Sequence, residues 1–223
     1  MDPRNEILRC KEDFDYFARR YLKIVTKDAK LKPFKMNAAQ RDIIGSFAEN
    51  PHLMLLKARQ LGSTTGIAAY FFWDALFTPH MSVAVVAHTD EAVKRIFEIY
   101  RRFYENLPEF LKLETVRSRE NEIKFITGSG IKVGSASTQS FRGGTYQRIH
   151  ASEYAFWGNM QVAIASLFGT ATDDALIVLE STANGMNEAY DMWSQENGFL
   201  KIFMSWKMDR NYVLDKPHFD DPS

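Results

Sequence analysis

Residues 53–65 read Leu-Met-Leu-Leu-Lys-Ala-Arg-Gln-Leu-Gly-Ser-Thr-Thr. The first four are apolar and follow Pro51, which is the pattern of a buried parallel strand. Residues 65–75 are largely apolar and contain no proline, so we expect a helix after the polar turn. A strand, a tight turn and a helix build a phosphate-binding loop, where backbone N–H groups and the positive helix end converge on an anion. The stretch therefore predicts a nucleotide site.

The loop matches the pattern G-x-x-x-x-G-K-[ST] only in part. Gly62 and Thr64 occupy the second glycine and the hydroxyl positions, but Ser63 stands where the lysine belongs and Lys57 where the first glycine belongs. The flexible stem of Lys57 can bring an ammonium to the β- and γ-phosphates from beneath the loop. Arg59 can reach the same oxygens through its planar guanidinium. The alternative is that both cations are ordinary solvated residues at a strand–helix junction.

The composition is that of an ordinary globular α/β protein. The chain has 223 residues, 45% of them hydrophobic and 25% charged, which favours one domain with at most a small appendage. Its one cysteine excludes an intramolecular disulfide and a cysteine-rich metal site, and suits a reducing cytosol. We expect no signal peptide and no membrane span. The formal net charge is zero, so any contact with nucleic acid must be local.

The remaining pattern predicts alternating helices and strands. Residues 6–25 predict an amphipathic helix or helix pair, and the lysine-rich residues 26–35 an exposed connector, with DNA contact as the alternative. Asn37 is a candidate N-cap for the next helix. We further expect strands at 81–87, 147–152, 175–180 and 202–206, helices at 91–104 and 186–195, and a hairpin formed by 123–126 and 131–133.

Residues 147–153 predict a short strand that ends in a carboxylate. In nucleotide-hydrolysing α/β folds, an acidic strand end beside the phosphate loop holds magnesium and polarises water. Glu153 is the candidate, with an ordinary surface acid as the alternative. Its neighbour Ser152 occupies the position usually held by the magnesium-associated aspartate. We therefore expect magnesium to depend more on Thr64 and on the phosphates.

Two further polar sites are candidates for contact with a nucleotide. Ser181, Thr182 and Asn184 follow a buried strand, and small hydroxyl and amide side chains there are suited to sensing a γ-phosphate. The alternative is a turn chosen for Asn-Gly geometry. Gln40 precedes the loop strand, and its amide has the donor and acceptor that fit the edge of adenine. The alternative for Gln40 is a surface residue.

With these elements in this order, residues 14–206 resemble the ATPase domain of the large terminase subunits of tailed bacteriophages. The motifs that carry the resemblance are Lys-Ala-Arg-Gln-Leu-Gly-Ser-Thr-Thr, Phe-Arg-Gly-Gly ahead of His-Ala-Ser-Glu-Tyr-Ala-Phe-Trp, and Ser-Thr-Ala-Asn-Gly. Terminases often carry a loop in which the lysine moves to the front. The resemblance implies a P-loop NTPase fold of the ASCE type, with a mostly parallel central sheet flanked by helices and an added β-hairpin.

The resemblance also implies roles for matching residues. Glu153 would orient the attacking water, Arg59 would contact or couple to the γ-phosphate, and Arg142 would act as an arginine finger toward a neighbouring subunit. Thr64 and Glu153 would hold Mg²⁺, the carboxylate through water. Ser181, Thr182 and Asn184 would couple hydrolysis to movement. The residues expected to bind ATP are Gln40, Lys57, Ala58, Arg59, Gln60, Leu61, Gly62, Ser63, Thr64 and Thr65.

The function implied is an ATP-hydrolysing motor that packages double-stranded viral DNA into a procapsid in the host cytoplasm. Its implied partners are the portal protein, the small terminase subunit and further copies of itself in a ring, with no membrane. We expect residues 1–35 to be a helical extension, 36–206 the ATPase core, and 207–223 a linker toward a nuclease domain that this chain lacks, so no nuclease activity is expected. The alternatives are a helicase-like DNA translocase and a nucleotide-binding assembly module that does not hydrolyse.

Overall fold

The computed structural model describes residues 2–26, 28–136 and 140–208. Within these ranges the strands are β1 (Lys23–Val25), β2 (Leu31–Pro33), β3 (His52–Lys57), β4 (Ser82–Ala87), β5 (Thr115–Arg119), β6 (Glu122–Phe125), β7 (Gly130–Ser135), β8 (Tyr146–Ser152), β9 (Ala171–Ser181) and β10 (Leu200–Met204). The α-helices of the same residues are α1 (Pro3–Glu12), α2 (Phe14–Tyr21), α3 (Ala38–Gly45), α4 (Ser63–Phe77), α5 (Asp90–Glu105), α6 (Met160–Phe168) and α7 (Glu188–Ser194). None of the described helices is long and apolar enough to cross a bilayer.

The main sheet has eight strands in the order β10-β3-β9-β8-β4-β7-β6-β5. Neighbouring strands from β10 to β7 are parallel, and β6 and β5 extend the sheet in antiparallel fashion. The predicted α/β fold with a mostly parallel sheet is therefore confirmed. Parallel strands end at the same edge of a sheet, so the residues that follow β3, β8 and β9 meet there.

Alternate residues of the central strands face two apolar layers. Leu53 and Leu55 of β3 pack in the layer that contains α1 to α5, whereas Met54 packs in the layer that contains α6 and α7. Successive strand side chains point to opposite faces, so a strand that is apolar at consecutive positions needs helices on both sides. This arrangement explains the continuous apolar run that precedes the loop.

The helix that follows the loop lies at the centre of one layer. Phe71 and Phe72 of α4 are fully buried, and the helix contacts α2, α3 and α5. A helix that is apolar around most of its circumference has to be covered by other elements. Truncating a fully buried phenylalanine to alanine costs about 3–5 kcal/mol, so this packing holds the helix firmly. The start of α4, where the loop ends, is thereby fixed against the sheet.

The N-terminal helices share this layer. The prediction of a helix or a helix pair is confirmed as the pair α1 and α2. The ring of Phe14 packs edge-on against Tyr70 and Trp73 at 5.2 and 5.7 Å. The Trp73 indole donates a hydrogen bond to the carbonyl of Cys10 at 2.7 Å. The helical prediction over 6–25 is wrong at its end, because Lys23–Val25 form β1, which pairs in antiparallel fashion with β2. The connector predicted over 26–35 is largely exposed, but it contains β2, which the lysine-rich sequence did not indicate.

The predicted antiparallel hairpin is confirmed as β6 and β7. Because β7 also pairs in parallel with β4, the hairpin continues the main sheet. The sequence pattern did not predict β5, whose residues are mostly exposed and whose order comes from pairing with β6, or the short helix α6. Of the tail predicted as a linker over 207–223, residues 209–223 lie outside the described part of the chain.

Candidate functional site

The loop between β3 and α4 is held by the first turn of α3. Asn37 caps α3 as predicted: its side-chain oxygen accepts the N–H of Gln40 at 2.8 Å, and the Gln40 oxygen accepts the N–H of Asn37 at 2.9 Å. The two amide nitrogens then turn to the loop. Asn37 Nδ2 donates to the carbonyl of Leu61 at 3.0 Å, and Gln40 Nε2 donates to the carbonyl of Gly62 at 2.7 Å. This capping box therefore fixes the end of the loop.

The position of Gly62 requires a glycine. Its φ is +77°, and a Cβ at this site would lie 2.9 Å from Nε2 of Gln40. Gln40 itself is only 5% exposed, which excludes the alternative of a surface residue. Since both ends of its amide already bind backbone, the structure gives Gln40 a part in shaping the loop. Its contact with adenine stays a prediction.

The start of α4 offers a site for an anion. The helix begins at Ser63, and its own first turn contains no acidic residue. The first N–H groups of a helix have no partner within it and are available to a phosphate. Arg59 and Gln60 are exposed in the loop just before the helix. The residues predicted to bind nucleotide at 57–65 are thus gathered around one helix end.

Lys57 is buried at the end of β3. Its ammonium lies 2.8 Å from Oε1 of Glu153, and its side chain is 7% exposed, so the alternative of a solvated lysine is wrong. Burial opposes the charged form, but the carboxylates of Glu180 and Glu153 outweigh it and raise the pKa of Lys57. The loop therefore carries a charged ammonium beneath it, next to the candidate catalytic carboxylate.

Glu153 joins the ends of three strands. While Oε1 faces Lys57, Oε2 accepts the backbone N–H of Thr182 at 2.9 Å and its hydroxyl at 3.1 Å, and lies 3.3 Å from Oγ of Ser181. Burial acts to raise the pKa of Glu153, but Lys57 and the Thr182 N–H lower it below its ordinary value. Glu153 also has a φ of +53°, a left-handed conformation that costs a non-glycine residue about 1–3 kcal/mol and persists where the surroundings impose it.

The segment after β9 braces the segment after β8. The side-chain amide of Asn184 donates to the carbonyl of Ala155 at 2.9 Å, and that of Asn187 donates to the same carbonyl at 2.9 Å. Asn187 also caps α7. The predicted coupling residues therefore contact both Glu153 and the turn that follows it, and the structure brings them to the same edge as the loop.

A second carboxylate, Glu180, was missed by the sequence analysis. It is fully buried at the end of β9. Oε2 accepts the hydroxyl of Ser63 at 2.5 Å, and Oε1 accepts that of Thr64 at 2.5 Å. The hydroxyl of Ser152 lies 3.3 Å away, and Nε2 of His150 lies 3.0 Å from Oε1. The hydroxyl predicted to bind magnesium is therefore held by a carboxylate from β9.

The environment of Glu180 favours its charged form. Burial acts to raise the pKa of this carboxyl, but His150, Lys57 and the Ser63 hydroxyl together lower it well below its ordinary value. A buried charge is costly unless polar partners surround it. A signal was available in the sequence: an acidic residue directly after the apolar run 175–179 has to be paired, because both faces of such a strand are covered.

Arg142 lies apart from this cluster. It is exposed and lines a cleft of about 490 Å³ together with His88, Phe141 and Trp157. The lining of the cleft includes neither the loop nor the carboxylates at the strand ends. Within the described part of the chain, Arg142 has no hydrogen bond or ion pair. The structure does not bring it to the candidate catalytic carboxylate of the same chain, and its action on a neighbouring subunit stays a prediction.

The donors at this edge suit magnesium. The Thr64 hydroxyl and the carboxylates of Glu153 and Glu180 supply oxygen atoms that can act as metal ligands. Mg²⁺ is commonly bound by one or two carboxylates with water and substrate phosphates. Among the residues that the structure describes, no group of three or more histidine, cysteine or acidic side chains forms a metal site of its own.

A glycine-containing loop between a central parallel strand and a helix, with carboxylates at neighbouring strand ends, defines the chain as a P-loop NTPase by fold. Its family follows from the sequence. The family described as "Terminase large subunit, T4likevirus-type, N-terminal" matches residues 54–212, and the chain belongs to it.

Solved terminase structures are similar to this chain. The HK97 bacteriophage large terminase matches at 18% identity and a TM-score of 0.67, over 82% of this chain and 40% of that chain. The ATPase domain of a Thermus phage large terminase matches at 16% identity and a TM-score of 0.60, over 82% and 90%. A large terminase from a thermophilic bacteriophage, in complex with ADP, matches at 16% and 0.58, over 81% and 48%. The chain spans less than half the length of the HK97 terminase and of the ADP-bound one.

Proposed function

We propose that this chain is the ATP-hydrolysing motor domain of a DNA-packaging terminase, which drives double-stranded DNA into a viral procapsid. Its family supports this, and so does its likeness to a terminase that is bound to ADP. Residues 36–206 form the ATPase core, residues 1–35 an extension packed on it, and residues 207–223 a linker toward a further domain. The portal protein and the small terminase subunit are the protein partners.

One contact carries the proposal. Lys57 at the end of the loop strand and Glu153 at the end of β8 form an ion pair of 2.8 Å, and the other oxygen of Glu153 accepts the N–H and hydroxyl of Thr182. A phosphate-binding cation, a carboxylate and a candidate coupling residue are thereby joined in one network. A network of this kind gives a motor what it needs, since a change at the phosphates is passed to another segment of the chain.

Binding of ATP rearranges this network. The triphosphate carries more negative charge than one carboxylate, so it attracts the ammonium of Lys57 away from Glu153. Arg59 and the N–H groups at the start of α4 contact the same phosphates. Magnesium, when bound through Thr64 and the phosphates, supplies neutralisation of the charge that develops on the γ-phosphate.

Glu153 then orients the attacking water. Once Lys57 has moved to the phosphates, Oε1 is available to accept a hydrogen bond from water in line with the γ-phosphate. Oε2 stays with the N–H of Thr182, which keeps the carboxylate aimed at one place. The left-handed backbone of Glu153 keeps its side chain beside the loop. Positioning of the water and stabilisation of charge are the contributions expected of a P-loop site.

The network also passes the change onward. Ser181 and Thr182 sense the position of Glu153, and Asn184 ties the same segment to Ala155. Loss of the γ-phosphate returns Lys57 to Glu153 and repositions the helix α7 that follows. Arg142 is exposed, so it is free to reach the site of a neighbouring copy in a ring and to neutralise charge there.

Release of phosphate from ATP tests the proposal. We expect Mg²⁺-dependent release that rises more steeply than linearly with the concentration of the chain, because a ring brings Arg142 to its neighbour. Thr64→Ala removes the magnesium-binding hydroxyl and is expected to lower release strongly. Thr78→Ala, at the other end of the same helix, is the matched control and should stay within about twofold of the natural chain.

Three results would contradict the proposal. Nucleotide binding without phosphate release at any concentration would favour an assembly module instead. Strand separation of duplex DNA would favour a helicase-like translocase. Equal loss of phosphate release in Thr64→Ala and Thr78→Ala would remove the loop from the site of hydrolysis.

A further inference from the structure

The end of β8 carries one carboxylate where P-loop ATPases use two. A strand-end aspartate ordinarily helps to hold magnesium, and a second acidic or polar residue orients water. In this chain Ser152 offers only a neutral hydroxyl ahead of Glu153. The register of the sheet pairs Ser152 with Glu180 of β9, and pairs Glu180 in turn with Leu55 of β3. A carboxylate therefore lies directly beside the position that lacks one.

Glu180 points to the start of α4. Its two oxygens accept the hydroxyls of Ser63 and Thr64 at 2.5 Å each, and Oγ of Ser152 lies 3.3 Å away. The hydroxyl expected on magnesium is thus within hydrogen-bond distance of a fully buried carboxylate. A glutamate is longer than an aspartate by one methylene, and this length lets the carboxylate reach the loop hydroxyls from a different strand.

His150 lies beside this carboxylate within the sheet. Its imidazole is fully buried, lies edge-on to Phe71 at 6.4 Å, and places Nε2 3.0 Å from Oε1 of Glu180. In metal sites, a neighbouring side chain commonly orients the residue that binds the metal, and loss of that neighbour changes the affinity for the metal. Glu180 therefore lies between a buried imidazole and the hydroxyl groups of the loop.

We propose that Glu180 supplies, from β9, the magnesium-assisting carboxylate that Ser152 does not provide. It is a positioning residue, which would act on magnesium through the Thr64 hydroxyl. The inference rests on the proposed function, because it requires a magnesium–nucleotide complex at the loop. It extends that function by assigning to β9 a task that P-loop ATPases ordinarily give to the strand that precedes the catalytic carboxylate.

The competing explanation is a structural clamp, in which Glu180 only holds Ser63 and Thr64. A clamp supports the loop equally with and without metal. Its loss would lower the affinity for nucleotide by the same factor in magnesium and in chelator. A magnesium-assisting carboxylate affects only the affinity in magnesium. The ratio of the affinity in magnesium to the affinity in chelator therefore separates the two explanations.

Titration with a fluorescent ADP analogue, in Mg²⁺ and in EDTA, measures this ratio on the full chain. We expect Glu180→Gln to lower the ratio by about 10-fold to 100-fold, as for other outer ligands of metal sites. Its affinity in EDTA should stay within about twofold, because the amide keeps the size of the side chain and Lys57 keeps its ion pair with Glu153. Glu6→Gln is the matched control, because Glu6 is also a buried carboxylate that accepts hydroxyl groups, and it should leave the ratio unchanged.

Moving the carboxylate back to β8 provides the second test. The double variant Ser152→Asp with Glu180→Gln restores an acid at the ordinary position, and its ratio should rise about tenfold above that of Glu180→Gln alone. Ser152→Ala removes only a neutral hydroxyl, and its ratio should stay within about twofold of the natural chain. Where Glu180→Gln does not fold, Glu180→Asp replaces it and is expected to give an intermediate ratio.

An unchanged ratio in Glu180→Gln or Glu180→Asp would overturn the inference, as would equal losses in magnesium and EDTA. A lower ratio in Ser152→Ala would assign the support of magnesium to β8, and it would overturn the inference as well. In each of these cases the proposed function stands, because the natural chain still binds magnesium and nucleotide. A natural chain that binds no nucleotide, or binds it equally in both conditions, would overturn the inference and the magnesium site of the proposed function together.

Discussion

The carboxylates of Glu6 in the N-terminal helices and of Glu153 and Glu180 at the strand ends accept hydrogen bonds from hydroxyl groups, and we assign these two groups different roles. Glu6 on α1 accepts the phenol of Tyr16 at 2.7 Å and that of Tyr21 at 2.5 Å. Glu153 and Glu180 accept the hydroxyls of serine and threonine residues at the strand ends and in the loop. The contacts are chemically alike. Burial and hydrogen bonding therefore do not by themselves identify a functional carboxylate.

The two groups differ in what surrounds them. The partners of Glu6 are tyrosines on α2, one of which packs its ring against Phe17 and Phe110. The partners of Glu180 belong to the start of α4, directly after Gly62 with its positive φ, and Glu153 itself has a left-handed backbone. Strained backbone collects at functional sites, where the surroundings impose it. The comparison teaches that the functional pair is marked by partners at the start of a helix that follows a glycine-containing loop, and by the left-handed backbone of Glu153, whereas partners among the N-terminal helices mark a structural carboxylate.

Glu153→Gln should have the largest effect on turnover. The amide keeps the size of the side chain but cannot accept the proton or orient water as the carboxylate does, so ATP hydrolysis should fall by at least about 10²-fold while ATP binding persists. Glu6→Gln makes the same chemical change in the other group and should leave turnover within about twofold. Steady-state phosphate release checks both, and unchanged release in Glu153→Gln would remove that residue from catalysis.

Lys57→Ala should weaken ATP binding more than Ser63→Ala does. A charge-assisted hydrogen bond contributes about 1.5–3 kcal/mol, which corresponds to a loss of about tenfold to a hundredfold in affinity. Ser63→Ala removes a neutral hydroxyl whose partner is Glu180, so its effect on affinity should be about twofold. Equilibrium titration with a non-hydrolysable ATP analogue measures both affinities. A larger loss of affinity in Ser63→Ala than in Lys57→Ala would refute the hypothesis that Lys57 replaces the usual lysine of the loop.

A mixture of Arg142→Ala and Glu153→Gln subunits should recover part of the ATP hydrolysis that each variant lacks alone. Arg142→Ala subunits keep Glu153, and Glu153→Gln subunits keep Arg142, so a mixed ring contains some complete sites if the arginine acts on its neighbour. We expect phosphate release at least about tenfold above that of either variant alone. Mixing Glu153→Gln with Lys57→Gln subunits, both altered at the same loop edge, is the control. Failure to recover activity in any ratio would count against action on a neighbouring subunit.

Glu6 should affect only stability, and in a pH-dependent way. Hydrogen bonds from Tyr21 and Tyr16 lower the pKa of Glu6 from its ordinary value of 4.5, so its charged form is favoured in the folded chain. The stabilisation is present above the unfolded value and is lost as the pH falls through the lower, folded value. The difference in melting temperature between the natural chain and Glu6→Gln should therefore narrow below pH 4.5. A constant difference from neutral to acid pH would contradict this.

The sequence predicted those parts of the site that depend on local pattern. The apolar run at 53–56 followed by a polar turn located the loop, and the polar position of Asn37 ahead of a helical segment located its cap. Glu153 was found because it follows a predicted strand. Each of these features depends on residues only a few positions apart, for which periodicity and capping preferences are informative.

Other parts of the fold and of the site depend on partners that are distant in the sequence. The edge strand β5 is mostly exposed, so no apolar alternation announces it, and its order comes from pairing with β6. Gln40 has an amide suited to a base edge, yet it binds Gly62 and Asn37, because α3 packs against the loop. Glu180 was passed over because no local pattern shows which side chains lie opposite a residue within a parallel sheet.

The sequence alone determined the alternation of the central strands and helices, the position of the loop and the family of the protein, since short-range patterns of apolar and polar residues specify them. The tertiary structure decided which charges meet. Lys57 reaches Glu153 across 96 positions and Ser63 reaches Glu180 across 117, and both contacts exist only because β3, β9 and β8 lie side by side. The physical reason is that strand order is set by the packing of the whole sheet between two layers of helices, which no single segment encodes.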